Sequence, residues 1–181
     1  MNWLSVSTLT RLRDQLRARG QRPSIVLGNP GAVTAEAAEL VQCISDYGAL
    51  CEAMYLMMSV DGQVANEERE VLKGALRNLS FDEIRGVHIE AMLDAASKRV
   101  AEQGRDKRLE AVMEELREDP TRAEVAFVLA AAIAFADNVI HDAENDLLNA
   151  MADGLEIDEQ RANELLDQAE SEMASDRASG A

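Results

Sequence analysis

"SVDGQVANEERE", residues 59–70, ends an apolar run on Asp61-Gly62 and opens an acidic segment. Sliding the chain by 76 positions lays it over "FADNVIHDAEND", residues 135–146. Asp61 then falls on Asp137, Val64 on Ile140, Glu68 on Glu144, Glu70 on Asp146 and Leu72 on Leu148. The common unit is a long apolar helix, Asp-(Gly/Asn)-x-(Val/Ile), three residues, Glu, and a shorter helix. Two such units, each at a helix-to-helix junction, predict a duplicated helical hairpin.

Most of the repeated positions have a structural role. Gly62 and Asn138 suit the left-handed turn that ends a helix, and Val64 and Ile140 can plug the hairpin. Glu68 and Glu144 fall at the third helical position if Ala65 and His141 are N-caps, where a carboxylate favours the positive end of the helix dipole. Asp61 and Asp137 fit less well, because a carboxylate at a helix C-terminus faces the negative end. Either they capture amides of the following helix or a cation lies nearby.

Outward from the repeat, the pattern is helical throughout. Leu40, Ile44, Tyr47, Cys51, Met54 and Met58 form one seam at spacings of three and four over residues 34–60. Helices are predicted over 66–78, from a Ser80-x-x-Glu83 capping box to about residue 100, and from "EQGRDK" to Asp119. Thr121-x-x-Glu124 opens the most apolar helix, 122–136, predicted to be central; helices over 142–152 and 158–173 follow, parted by Gly154. No stretch alternates as a strand does. Before all this, Trp3, Leu4, Leu9, Leu12 and Leu16 mark an amphipathic arm that reaches about Arg19, followed by "GQRPSIVLGNPG", residues 20–31. The expected layout is an arm and linker over 1–31, a helical domain over 32–175 and a frayed tail over 176–181. The fold class is all-α: a duplicated bundle of about seven helices plus the arm.

Charge narrows the partners. The net charge is −16, and residues 1–22 carry +4, so the remainder carries −20. Such a body repels phosphate backbones and argues against nucleic acid; a cation or a basic protein surface fits it. Cys43 and Cys51, eight positions apart on one helix, are roughly 12 Å apart along its axis, too far for a disulfide. They read as buried small hydrophobes. The longest apolar run, 125–136, is short of the ~20 residues that span a bilayer, and no signal-peptide core precedes a small-residue cleavage site; a cytoplasmic protein is expected.

"MMSVDGQVANEEREVL" and "AFADNVIHDAENDLL" resemble the paired signatures of the TerB-like, tellurite-resistance-associated family, and the resemblance runs over about 34–173. It implies an all-helical, internally duplicated, non-catalytic domain of stress-response complexes near the bacterial membrane. The family's acidic positions, implicated in divalent-metal binding, fall on Asp61, Glu68, Asp137 and Glu144. The second signature departs at Asn138, where Gly is usual, and Ala65 and His141 replace the common Ser or Thr cap. A related domain accompanies a J-domain in membrane-anchored co-chaperones, but this chain has no His-Pro-Asp.

Other chemistries are poorly supplied. From Asp61 or Asp137, EF-hand positions 3, 5, 6 and 12 hold Gln63, Ala65, Asn66 and Leu72, or Val139, His141, Asp142 and Leu148. His88 and His141 are the only histidines and there is no Cys-x-x-Cys, so zinc is disfavoured. They read as surface or helix-boundary residues, and no catalytic set is nominated. The expected function is therefore a binding module whose four carboxylates hold calcium or magnesium, the ions suited to all-oxygen donors. The rival is an interaction scaffold without metal that recruits a basic or membrane-associated protein partner, with residues 3–19 able to lie on an anionic membrane.

Overall fold

The computed structural model describes residues 5–18, 35–60, 66–80, 82, 84–134 and 142–179. Among these the chain is all-helical, with eight helices and no strand. They are α1 (Val6–Ala18), α2 (Ala35–Met58), α3 (Asn66–Leu79), α4 (Gly86–Gln103), α5 (Arg105–Arg117), α6 (Pro120–Ala134), α7 (Asp142–Gly154) and α8 (Glu159–Ser179).

Local chemistry sets the ends. Ser5 Oγ accepts the Thr8 amide at 3.1 Å and caps α1. Asp119 Oδ1 accepts the amides of Thr121 and Arg122, and Pro120 takes the first helical position of α6. The start of α6 is therefore Asp-Pro rather than the Thr121 box. Glu124 is bound by Arg161 instead, at 2.7 and 2.8 Å. Asp158 Oδ1 accepts the Arg161 amide and caps α8. The Ser80 box does not open α4 either: Ser80 hydrogen-bonds back onto α3, and Asp82, at φ 60°, turns the chain left-handed. α4 begins only at Gly86, after Arg85.

Two glycines have different reasons. Gly104 parts α4 from α5 at φ 86°, ψ 153°, a conformation essentially reserved for glycine. Gly154 is the last residue of α7 and not the turn itself, since the left-handed residue there is Glu156. A Cβ on Gly154 would lie 2.8 Å from Met113 Cγ, so glycine there permits α5 to approach α7.

The core is built on α2 and α6. Residues 49–59 of α2 and its exit are all buried, and 11 of the 15 residues of α6 are buried, as an apolar helix surrounded by others must be. The seam predicted on α2 holds at Cys51, Met54 and Met58, but Ile44 is 48 % exposed and Tyr47 half-buried. The first half of α2 therefore lies at the edge of the core, and the second half inside it. Leu40 and Cys43 lie outside the described side chains.

The contacts fall into two four-helix halves, α1–α4 and α5–α8. α1 packs on α3, α6 and α8, and its counterpart α5 packs on α7, α2 and α4 and also on α6, a neighbour for which α1 has no equivalent in α2 among the described residues. α2 packs on α3 and α4 as α6 does on α7 and α8, and α2 and α6 pack on each other. α1 is thus the first helix of the first half. Its Leu9, Leu12 and Leu16 are buried in the common core. α8 runs past Met173 to Ser179 where a frayed tail was expected, because Asp176 caps the N-terminus of α1: it accepts the hydroxyls of Ser5 and Ser7 and the Ser7 amide at 2.6–2.9 Å.

Candidate functional site: two acidic junctions

The repeat read from the sequence reappears in the helix ends. α2 ends at Met58 and α6 at Ala134; α3 begins at Asn66 and α7 at Asp142. Both pairs differ by 76. Glu68 and Glu144 are each the third residue of their helices, as the repeat predicts. Glu144 is half-buried and does not stand free, and Asp142 joins it in the acidic first turn of α7. Asp61, Asp137 and the side chain of Glu68 lie outside the described residues, as do Gly62, Asn138, Val64, Ile140 and His141. Among the described residues no three His, Cys, Asp or Glu side chains gather as metal ligands would.

The end of α2, which leads into the first junction, carries positive charge. Arg105, first residue of α5, donates to the carbonyl oxygens of Ser59 and Val60, the latter at 3.0 Å. A cation on the last carbonyls of a helix satisfies orphan acceptors and favours the negative dipole end. The protein therefore supplies a cation of its own immediately before Asp61.

Two turns earlier lies a group that sequence reading missed. Glu52 is buried, and Arg99 of α4 binds its Oε2 at 3.0 and 2.6 Å. Arg108 of α5 binds Oε1 at 2.7 Å and Oε2 at 3.1 Å. A lone carboxylate inside "ALCEAMYLMM" was the available signal, because such a charge is buried only when paired. Cys51 beside it is pushed up to about 12, chiefly by burial and next by the charge of Glu52.

Elsewhere the halves have diverged. In the first, Arg69 reaches Glu90 and Asp94 at 2.8 Å, and Lys73 reaches Glu90 at 2.6 Å, joining α3 to α4. Their hydrogen bonds, Lys73's first, hold the Glu90 carboxyl below its ordinary value. Seventy-six positions on stand Asn145 and Asn149, which cannot make ion pairs. Among the described residues no α7–α8 packing matches that of α3 on α4. His88 is buried in the first turn of α4, 3.0 Å from an Arg85 guanidinium nitrogen. It is a boundary residue, as predicted, but not a surface one.

A family model described as tellurite resistance protein TerB matches residues 48–172. The chain belongs to the TerB family. The match takes in both junctions and begins after α1. No curated protein and no solved structure matches. Among the described residues, eight helices and no strand agree with the all-α expectation for a TerB domain. Among the described residues no helix is long and apolar enough to cross a membrane.

Proposed function

We propose that this TerB-family chain is a non-catalytic stress-response protein in which the two junctions together hold a hard divalent cation. Asp61, Glu68, Asp137 and Glu144 are its ligands. What supports the reading is the shared register: two helices end, and two begin, 76 residues apart, with a glutamate at the same helical position each time. The path of the chain favours their meeting. α5 starts at the end of α2, is joined to α6 by two residues and packs against it, so α6 returns toward the end at which α5 began. All-carboxylate donors fit calcium or magnesium better than zinc. Bound-metal content of protein purified without chelator, with thermal unfolding in millimolar calcium or magnesium, tests this. A stabilising shift absent from Asp61→Asn/Asp137→Asn is expected. No bound metal and no shift would sink the proposal.

The second reading, a scaffold that recruits a protein partner, is favoured by one feature. A basic amphipathic helix, α1, is seated on acidic α8, Arg11 binding Glu172 at 2.7 Å.

A further inference from the structure

α1 and α5 hold matching places in the two halves, but they are attached differently. α5 joins α4 through Gly104 alone and α6 through residues 118–119, so it cannot leave without disturbing both neighbours. α1 reaches α2 through residues 19–34 and lies outside the family match. It is also the only one of the two whose helix N-terminus is held by another helix's carboxylate among the described residues.

The seat of α1 has a readable specificity. Leu9, Leu12 and Leu16, spaced as one helical stripe, enter the groove formed by α3, α6 and α8. Along its rim, Glu172 accepts Arg11 at 2.7 and 3.2 Å, and Asp176 accepts the Ser5 and Ser7 hydroxyls. Partial burial raises Glu172, but the hydrogen bonds from Arg11, Thr8 and Gln168 and the charge of Arg11 together outweigh it and leave the carboxyl below its ordinary value. Val6, at the start of α1, is 61 % exposed.

We infer that the groove of α3, α6 and α8 is a receptor for a basic amphipathic helix, filled in cis by α1 and in trans by a partner protein's helix of the same pattern. That pattern is two N-terminal hydroxyls, leucines at i, i+3 and i+7, and an arginine at i+2. The apolar groove selects the leucines, and the two carboxylates select the arginine and hydroxyls, as in other helix-in-groove recognition. α1 competes as a tethered ligand, at an effective concentration on the order of millimolar, and so sets the affinity a partner must exceed. The inference deepens the recruitment reading and uses no cation.

The test uses the full chain in chelator and a labelled peptide of residues 5–18, read by fluorescence anisotropy. Chelator separates it from the cation proposal, which stands or fails on metal content. Leu9→Ala/Leu12→Ala in the chain weakens the resident helix and leaves the groove intact; the peptide should then bind about tenfold or more tighter than to the unaltered chain. Arg11→Glu in the peptide should remove that gain, and Glu172→Arg in the weakened chain should restore it. If the double-alanine chain fails to unfold cooperatively, Arg11→Glu in the chain, which keeps the leucines, carries the same assay with the unaltered peptide. Binding that is absent or indifferent to the charge exchange overturns the inference. So does loss of cooperative unfolding in both variants, which would make α1 a fixed layer of the core. Concentration-dependent dimers of the unaltered chain would make the occupant a second copy and overturn the partner assignment.

Discussion

Glu52→Gln is the most informative single change. It keeps the shape of a side chain only 3 % exposed and removes its charge from between two arginines. Three of the four guanidinium bonds end on Oε2 and one on Oε1, so the amide will settle with its oxygen in the Oε2 place. The bond from Arg108 Nε is then lost, and the other three fall from charge-assisted to neutral on the acceptor side. Losing a carboxylate from a buried pair costs about 3–5 kcal/mol, and partial exposure of Arg99 argues for the lower end. At roughly 2–4 °C per kcal/mol for a chain of this size, a loss of about 3 kcal/mol lowers the melting temperature by about 6–12 °C. Urea unfolding followed by circular dichroism measures it, with the slope checked for constancy. Arg108→Met should cost more than Arg99→Met, because Arg108 is the less exposed, at 17 % against 37 %. The triple change Glu52→Leu/Arg99→Met/Arg108→Met should recover part of the loss. A Glu52→Gln loss below about 1 kcal/mol at unchanged slope would refute the reasoning, since an exposed ion pair does as much.

Gly104→Ala meets no neighbour within 4 Å, so its cost is backbone strain alone, about 1–3 kcal/mol in the urea midpoint; a neutral result would mean that the break between α4 and α5 is not held as described. Asp176 is held down to about 2 by the Ser7 hydroxyl and amide and then by Ser5. A carboxyl depressed in the folded state contributes stability that is full above its unfolded value, about 4, and is lost as pH falls through the folded value. The gap in melting temperature between the unaltered chain and Asp176→Asn should therefore be open at neutral pH and close between pH 4 and about 2. A gap that survives at the acid end contradicts the cap. In a Cys43→Ser background, Cys51 should react with iodoacetamide only as fast as the protein unfolds, because its thiol is buried and stays protonated near neutrality; rapid labelling of the native chain would show otherwise.

What the sequence made legible was local. The repeat, the apolar helix α6 and the third-position glutamates depend on residues within a few turns of each other, and the structure carries all of them. Starts went astray where two local signals competed. Thr121-x-x-Glu124 masked the stronger Asp119-Pro120, in which a carboxylate caps and proline fits the first helical position. At Ser80, the hydroxyl donates back to the Arg77 carbonyl of α3 and accepts the Ile84 amide, so it holds the turn before α4 and does not open the helix. Long-range pairings left no periodic trace. The leucine stripe of α1 was plain, but its seat on Glu172 and Asp176 joins residues some 160–170 positions apart. Glu52 likewise depends on arginines on two other helices. Whether Asp61 and Asp137 approach depends on how α2 and α6 cross, which neither junction encodes on its own.

The way each first helix reaches across to the other half has a historical consequence. α1 of the first half closes against α8 of the second, and α5 of the second closes against α4 of the first. Each opening helix packs partly on its own half, α1 on α3 and α5 on α6 and α7, and partly on the other. An ancestor encoding a single half would have left bare the faces through which the halves now meet, α2 against α6 above all, and pairing two chains would have covered them. Fusing two copies of such a gene would have turned a concentration-dependent assembly into one molecule. It would also have freed the halves to drift apart, so that one now bridges its third and fourth helices with Arg69 and Lys73 while the other keeps only Asn145 and Asn149.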